Sequence, residues 1–189
     1  MHRRSFIQIV SGAALGQAPM LAAPQGTRLG FATYSIRSQG WKAMQILDYA
    51  AAQKVDTIQL SSGDLGSLDE TNIREIKSYA GRLGILVEPT FDCICPLSNA
   101  WNAKRQNDPV SYILEAVRVA RLLGSPNARC AMGNEKDPYG SVPISAMMEN
   151  TIKTLRSVRT RVQDAGVKLA LENHGEMRAR ELAALIEEA

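Results

Sequence analysis

The sequence has little of what marks a disulfide scaffold, a membrane protein or a nucleic-acid-binding protein. Its 189 residues include three cysteines, two histidines and 5% aromatic residues. No uninterrupted apolar run approaches the roughly 20 residues that span a bilayer. A formal net charge of +3 leaves no strong positive patch for nucleic acid or an anionic membrane. With 45% hydrophobic residues, the composition is that of an ordinary globular protein.

The first 24 residues resemble an export signal. Arg3-Arg4-Ser5-Phe6-Ile7 is similar to the twin-arginine motif, and a weakly apolar stretch rich in glycine and alanine follows it. Leu21 departs from the pattern, because a small residue is preferred three positions before a cut after Ala23. We expect residues 1–24 to export the protein to the periplasm and the mature form to be free of the membrane. The alternative is a disordered or amphipathic N-terminal arm.

The cysteines are too few and odd in number for a complete disulfide framework. Cys93 and Cys95 are two positions apart in an apolar stretch, and Cys130 lies in another. We expect three buried free thiols. A disulfide that joins Cys130 to Cys93 or Cys95 is the alternative in an oxidising compartment.

Strand-like and helix-like segments alternate from residue 27 to residue 189. A unit of helix, glycine and strand recurs at Gly84, Gly124 and Gly166, and glycine suits the left-handed residue that ends a helix. Asp69 or Thr71 is the expected N-cap of the second helix. The predicted strands are 29–36, 56–61, 85–91, 127–132 and 167–172, and the predicted helices are 41–54, 69–83, 110–123, 144–164 and 177–188, with a loop at 62–64.

Five strands that are each followed by a helix imply an α/β fold with parallel strands and right-handed crossovers. Two architectures fit. One is a five-stranded doubly wound sheet, which is complete at this length. The other is a (β/α)₈ TIM barrel of about 250 residues, of which residues 27–189 form an incomplete domain of five units. Residues 34–40 contain neither phosphate-binding glycine motif, which disfavours nucleotide or flavin binding.

A carboxylate and an imidazole follow the apolar residues of the fifth predicted strand, in the stretch Leu169-Ala170-Leu171-Glu172-Asn173-His174-Gly175. Both architectures gather their active sites at the carboxyl ends of strands. Glu172 and His174 point the same way if the strand geometry persists. Glu172 is then placed to bind a divalent cation or to move a proton. The spacing alone equally fits a glutamate that caps the next helix beside an exposed histidine.

This stretch, with Glu181-Leu182 in the following helix, resembles the fifth unit of the xylose isomerase-like TIM-barrel family. The family comprises sugar phosphate isomerases and epimerases and is related to the type IV AP endonucleases. Leu29-Gly30-Phe31 and the passage 54–60 are also similar to the family's pattern. The resemblance covers about residues 29–189, and it implies the incomplete TIM barrel.

The resemblance also implies a divalent metal ion, Mn²⁺, Mg²⁺ or a similar cation, held by four ligands. Glu172 matches the ligand that ends strand 5, and an aspartate, a histidine and a glutamate after strands 6, 7 and 8 would complete the set beyond residue 189. His174 matches a histidine that lies near the substrate. Arg37, Trp41 and Glu88 lie at or just after predicted strand ends, and we expect them to line the substrate pocket.

The implied activity is isomerisation or epimerisation of a sugar or polyol by proton transfer next to a carbonyl. A metal ion stabilises the enediolate in such a reaction, and Glu172 would serve as ligand and acid/base. Three alternatives stay open. They are a non-catalytic exported binding module with the doubly wound sheet, a sugar or polyol dehydratase on the same barrel, and a DNA-repair nuclease. The near-neutral charge and the leader disfavour the nuclease.

Overall fold

A computed structural model describes residues 27–189, so the export signal expected at residues 1–24 lies outside the described residues. The strands are β1 (Gly30–Ala32), β2 (Thr57–Ser61), β3 (Leu86–Cys93), β4 (Asn127–Ala131) and β5 (Lys168–Glu172). The helices are α1 (Ala43–Ala52), α2 (Ser62–Leu65), α3 (Glu70–Leu83), α4 (Ala103–Gln106), α5 (Pro109–Leu123), α6 (Ile144–Asp164) and α7 (Ala179–Glu188), with 3₁₀ turns at Thr33–Gln39 and Asp137–Tyr139. Within this part of the chain no helix is both long and apolar enough to cross a membrane.

The five strands form one parallel sheet in the order β1-β2-β3-β4-β5. Each strand therefore pairs with the one before it in the chain. A doubly wound sheet reverses its strand order at a switch point, and this sheet has no such reversal. The doubly wound alternative is therefore wrong, and the order is that of a barrel wall.

Side chains alternate between the two faces of the sheet. Ile58, Leu60, Val87, Ala128 and Cys130 are buried on the face that the helices cover, and they share one apolar core with α1, α3, α5 and α6. The residues between them are largely polar and point to the opposite, inner face. They include Gln59, Ser61, Glu88, Thr90, Asn127, Arg129 and Glu172. The sheet thus has an apolar outer face and a polar inner face.

The helices bury the faces that their apolar spacing predicts. Leu47, Ile73, Ile76 and Ile113 are all essentially inaccessible to solvent. The exception is α7, in which Leu185 is fully buried but Ile186 is 56% exposed. Ile186 lies on an open apolar groove beside α6 and β5.

Helix ends follow local chemistry that the sequence reveals. Gly84, Gly124 and Gly166 have φ angles of 70°, 74° and 67°, which confirms the expected left-handed glycines. The Asp69 side chain accepts a hydrogen bond from the Asn72 amide and caps α3. Of the two residues that the sequence offered as N-cap, Asp69 is therefore the one that caps α3.

Two segments differ in secondary structure from the prediction. The first strand ends at Ala32 instead of residue 36, because residues 33–39 satisfy their polar groups locally in a 3₁₀ turn. In that turn the Ser35 hydroxyl donates to the Ala32 carbonyl and the Arg37 guanidinium to the Tyr34 carbonyl, each at 2.7 Å. The predicted loop 62–64 is the helical turn α2, in which the Ser61 hydroxyl accepts a hydrogen bond from the Asp64 amide as an N-cap.

The three cysteines are free and buried, as expected, and no disulfide joins them. The Cys93 thiol donates to the Met132 carbonyl at 2.8 Å. Burial raises the pKa of Cys93 to about 11 and that of Cys130 to about 12. Both groups are therefore neutral thiols at physiological pH.

We expect the folded protein to react slowly with a thiol reagent such as DTNB at pH 8. The thiolate is the reactive form, and both burial and the raised pKa of Cys93 and Cys130 suppress it. Denaturation in guanidinium without reductant should release three reactive thiols, which is the full cysteine count. Fewer than three would reveal a disulfide, and fast labelling of the native protein would contradict the burial.

Candidate functional site

A cavity of about 600 Å³ opens at the carboxyl ends of the strands. Its wall comes from the segments that follow β1 to β5 and from α4, so it lies where barrels of this kind place their active sites. The Arg, Asp, Glu and His side chains on this wall are Arg37, Asp64, Asp92, Arg105, Arg129, Glu135, Glu172 and His174.

Glu172 is the last residue of β5, and its carboxylate meets two other side chains on the cavity wall. Oε2 of Glu172 contacts Nη1 of Arg129 in an ion pair and lies 3.1 Å from Nε2 of His174. In the register of β4 and β5, Arg129 pairs with Ala170 and Ala131 pairs with Glu172. The side chain of Glu172 therefore lies on the same face of the sheet as that of Arg129, two residues further along the strands. The structure therefore brings Glu172 and His174 together at this point.

Arg129 is a part of this cluster that sequence reasoning missed. It lies in β4 between the buried residues Ala128 and Cys130 and points to the inner face. Burial lowers the pKa of its guanidinium, since desolvation disfavours the charged form. An arginine between two apolar strand residues was the available signal, because only a partner or a polar cavity makes that position tolerable.

The donor chemistry at the end of β5 suits one ligand of a metal site. The carboxylate of Glu172 offers the kind of oxygen that a divalent cation binds, and Nε2 of His174 lies 3.1 Å from it. The described residues hold no group of three or more His, Cys, Asp or Glu side chains placed around one metal. Glu172 thus fits one ligand position of a metal site, and His174 lies beside it.

The other predicted pocket residues occupy different places. Arg37 lines the cavity, and its guanidinium lies 3.9 Å from the centroid of the Tyr34 ring. Trp41 packs against Tyr49, with ring centroids 5.4 Å apart, and is not among the cavity-lining residues. Glu88 is on the inner face but away from the cavity wall, where it accepts a hydrogen bond from Asn127 Nδ2 at 3.1 Å.

A buried aspartate, Asp137, ties together two loops at the cavity rim. Its carboxylate accepts hydrogen bonds from the Ser98 hydroxyl and from the Asn99 and Asn134 amides, each at 2.7 Å. Gly133 passes so close that a Cβ there would lie 2.2 Å from Oδ2 of Asp137. The carboxylate therefore joins the loop after β3 to the loop after β4.

The buried carboxylate of Glu176 joins the loop after β4 to the loop after β5. Its carboxylate accepts from the Gly133 amide at 3.2 Å and from the His174 amide at 2.6 Å. The backbone of His174 is thereby fixed next to the end of β5. Sequence reasoning missed this glutamate, because its Gly133 partner lies in another loop.

The ends of β1 and β2 are joined through Asp64. Its Oδ2 accepts from the Thr33 hydroxyl at 2.7 Å and from the Ser61 hydroxyl at 2.6 Å. Across the cavity, Arg105 of α4 pairs with Asp92 at 2.9 Å. Each strand end on the rim is thus tied to a neighbouring segment.

Replacement of Asp137 by alanine should lower the free energy of unfolding by about 3 kcal/mol, because three donors lose a buried, charged acceptor. Asp137→Asn is the matched variant, and it should lose less because it keeps one carbonyl oxygen. Urea denaturation followed by circular dichroism measures both. An alanine variant within about 0.5 kcal/mol of the wild type, the usual range for a surface substitution, would show that the carboxylate does not hold the loops.

No protein-family model matches the chain, and no curated protein matches it either. Solved structures do share its fold. A D-psicose 3-epimerase crystallised with D-fructose matches with a TM-score of 0.69 at 15% identity, over 86% of this chain and 60% of that chain. A xylose isomerase domain protein from Planctomyces limnophilus matches with 0.59 at 18% identity, over 88% and 60%.

A probable 3-DHS dehydratase from Bacillus anthracis matches with a TM-score of 0.62 at 14% identity, over 86% of this chain and 59% of that chain. The described chain thus spans about 60% of the length of these structures. At these identities the likeness concerns the fold. The predicted α/β fold with part of a TIM barrel is confirmed, because residues 27–189 form five consecutive β/α units that match the fold of these structures.

Proposed function

We propose that the chain is the N-terminal part of a metal-dependent isomerase or epimerase of a sugar or polyol, exported through residues 1–24. The observation that carries the proposal is the pair Glu172 and His174. Their donor atoms lie 3.1 Å apart on the wall of the cavity at the carboxyl end of β5. The fold shared with sugar epimerases supports the same reaction class.

In this proposal Glu172 and His174 work at the carbon next to the substrate carbonyl. Glu172 supplies a carboxylate oxygen to the cation and takes part in proton transfer, and His174 holds a substrate hydroxyl. A divalent cation held there would supply Lewis acidity for the charge that develops on the carbonyl oxygen. The Glu176 carboxylate accepts a hydrogen bond from the backbone amide of His174. This bond fixes the position from which the imidazole extends before substrate arrives.

Arg37 is proposed as a substrate-binding residue because it lines the cavity. Trp41 and Glu88 stay predictions with a less direct connection to the cavity. Trp41 packs against the Tyr49 ring of α1. Glu88 lies on the inner face with Asn127 as its partner.

The proposal includes three further β/α units after residue 189, with an aspartate, a histidine and a glutamate at the ends of their strands. The greater length of the matched structures supports this part. We expect the source DNA to continue in frame beyond codon 189 for roughly 100 codons, as an eight-unit barrel requires. A stop codon there would leave Glu172 without its co-ligands and would contradict a metal-dependent enzyme.

We expect Glu172→Gln to abolish activity in the protein expressed from its complete gene. The amide is a poor cation ligand and cannot carry the proton, so the rate should fall at least about 100-fold. Incubation of ketoses in D₂O with NMR detection reads the reaction as solvent deuterium entering the carbon next to the carbonyl.

Glu187→Gln is the matched control for this variant. Glu187 is exposed on α7, and its side chain forms no hydrogen bond or salt bridge among residues 27–189. The rate of this variant should therefore equal that of the wild type. Equal rates for Glu172→Gln and the control would overturn the assignment of Glu172.

A dehydratase of the same barrel is the second candidate. A probable 3-DHS dehydratase is among the structures that share the fold, and the inner face carries the half-buried cation Arg129. The NMR experiment separates the two reactions, since a dehydratase releases water and creates an alkene signal. The alternative of a non-catalytic binding module depended on a doubly wound sheet, and the strand order does not fit that sheet.

A further inference from the structure

Sulfur-containing side chains are concentrated in a second, smaller core, which is separate from the main one. Of its seven buried residues five carry sulfur, and they are Cys93, Cys95, Met132, Met147 and Met177. Met148 packs against them from a half-buried position. The main core has 25 buried residues, of which Cys130 alone carries sulfur among the residues that the structure describes. We call the five residues together with Met148 the sulfur cluster.

The thiols of Cys93 and Cys95 both lie in this cluster. Sγ of Cys93 donates to the Met132 carbonyl at 2.8 Å, and the amide of Cys95 donates to the same sulfur at 3.4 Å. Sγ of Cys95 contacts the Met147 carbonyl at 3.7 Å. An N–H that donates to sulfur favours the charged thiolate, which is the form that binds metals. Cys93 also lines the 600 Å³ cavity, so a small ion has a route to it from solvent.

A completely buried hydroxyl beside the thiols points to the same chemistry. Oγ1 of Thr151 in α6 is inaccessible to solvent and has no hydrogen-bond partner among residues 27–189. Burial raises the pKa of Cys95, and the neighbouring Thr151 hydroxyl works against this rise. A buried donor without an acceptor costs free energy. A thiolate at Cys95 would give the hydroxyl a charged acceptor, and the neutral thiol does not.

The donor set favours a soft monovalent cation. Thiolate and thioether sulfur select Cu⁺ over hard cations. Zn²⁺ also binds thiolates, but it takes four ligands from cysteine, histidine and carboxylate side chains. The described residues hold no group of three or more such side chains.

We propose that Cys93 and Cys95 bind a Cu⁺ ion as thiolates, with methionines of the sulfur cluster as further, thioether ligands. Each of the two thiols releases its proton to solvent as its sulfur binds the ion, and copper stays in the Cu⁺ state throughout. The apparent affinity should therefore rise with pH, because fewer protons compete for the sulfurs. This inference does not depend on the proposed sugar reaction, since the hard cation proposed at Glu172 prefers oxygen ligands.

The experiment is an anaerobic competition for Cu⁺ between bicinchoninate and the protein expressed from its complete gene. The wild type should withdraw Cu⁺ from the coloured bicinchoninate complex. Cys93→Ser and Cys95→Ser should each lower the affinity at least about 100-fold, because loss of a ligand costs more than loss of a group that supports one. Cys130→Ser is the matched control. Cys130 is also buried and free but lies in the main core, so this variant should bind Cu⁺ as the wild type does.

Thr151→Val tests the hydroxyl without touching a ligand. Valine keeps the shape of the side chain and removes the unpartnered donor, so the metal-free protein should be at least as stable as the wild type. Its affinity for Cu⁺ should fall about 10-fold, as is usual when a ligand loses its hydrogen-bond support. An affinity equal to that of the wild type would show that Cys95 does not bind copper as a thiolate beside Thr151.

A second measurement uses the wild type alone and does not depend on the folding of any variant. Ag⁺, which resembles Cu⁺ and has no redox chemistry here, is added to protein whose methionine methyl groups carry ¹³C. The methyl signals of the sulfur cluster should shift in the NMR spectrum, while that of Met44, which packs against the main core, should not.

Three results would overturn the inference. They are failure of the wild type to withdraw Cu⁺, equal affinities of the wild type and the Cys93 and Cys95 variants, and cluster signals that Ag⁺ leaves unshifted. A loss in Cys130→Ser as large as that in the other two variants would also contradict it. All four outcomes leave the enzyme proposal standing, because none of them involves Glu172 or a sugar.

Discussion

The alternation of side chains across a parallel sheet is the constraint on which the rest of this structure depends. Every second residue of β2, β3 and β4 is apolar and packs against the helices, where burial of apolar surface stabilises the fold. The intervening residues must then lie on the inner face, and their polar groups need partners there. The same backbone geometry therefore builds the core and gathers Glu172, Arg129 and the other polar side chains on the opposite side.

Carboxylates that are buried or half-buried hold the loops at the strand ends in a fixed rim. Asp137, Glu176 and Asp64 each accept hydrogen bonds from two or more donors, and at least one of these donors lies in another segment. Such bonds to a charged acceptor are stronger than neutral ones. The consequence is that His174 and the cavity wall are held by interactions that take no part in chemistry themselves.

Local patterns predicted the five longer helices, the left-handed glycines and the closeness of Glu172 and His174, because each depends on neighbours in the chain. The short helices α2 and α4 were not predicted. Residues 33–36 were mispredicted as strand, since their side chains suit a strand while the hydrogen bonds of Ser35 and Arg37 favour the 3₁₀ turn. Arg129 and Asp137 escaped prediction for a different reason. Their partners lie tens of residues away and become neighbours only when the sheet forms.

The consecutive strand order also determines how the chain can assemble. Gly30 of β1 pairs with Thr57, and Asn127 of β4 pairs with Lys168, so every sheet contact closes a loop of a few tens of residues. Short loops cost less entropy to close than long ones, and topologies rich in near contacts fold faster. Each β/α unit can thus dock on the one synthesised before it, and the wall of the barrel grows in the direction in which the ribosome delivers the chain.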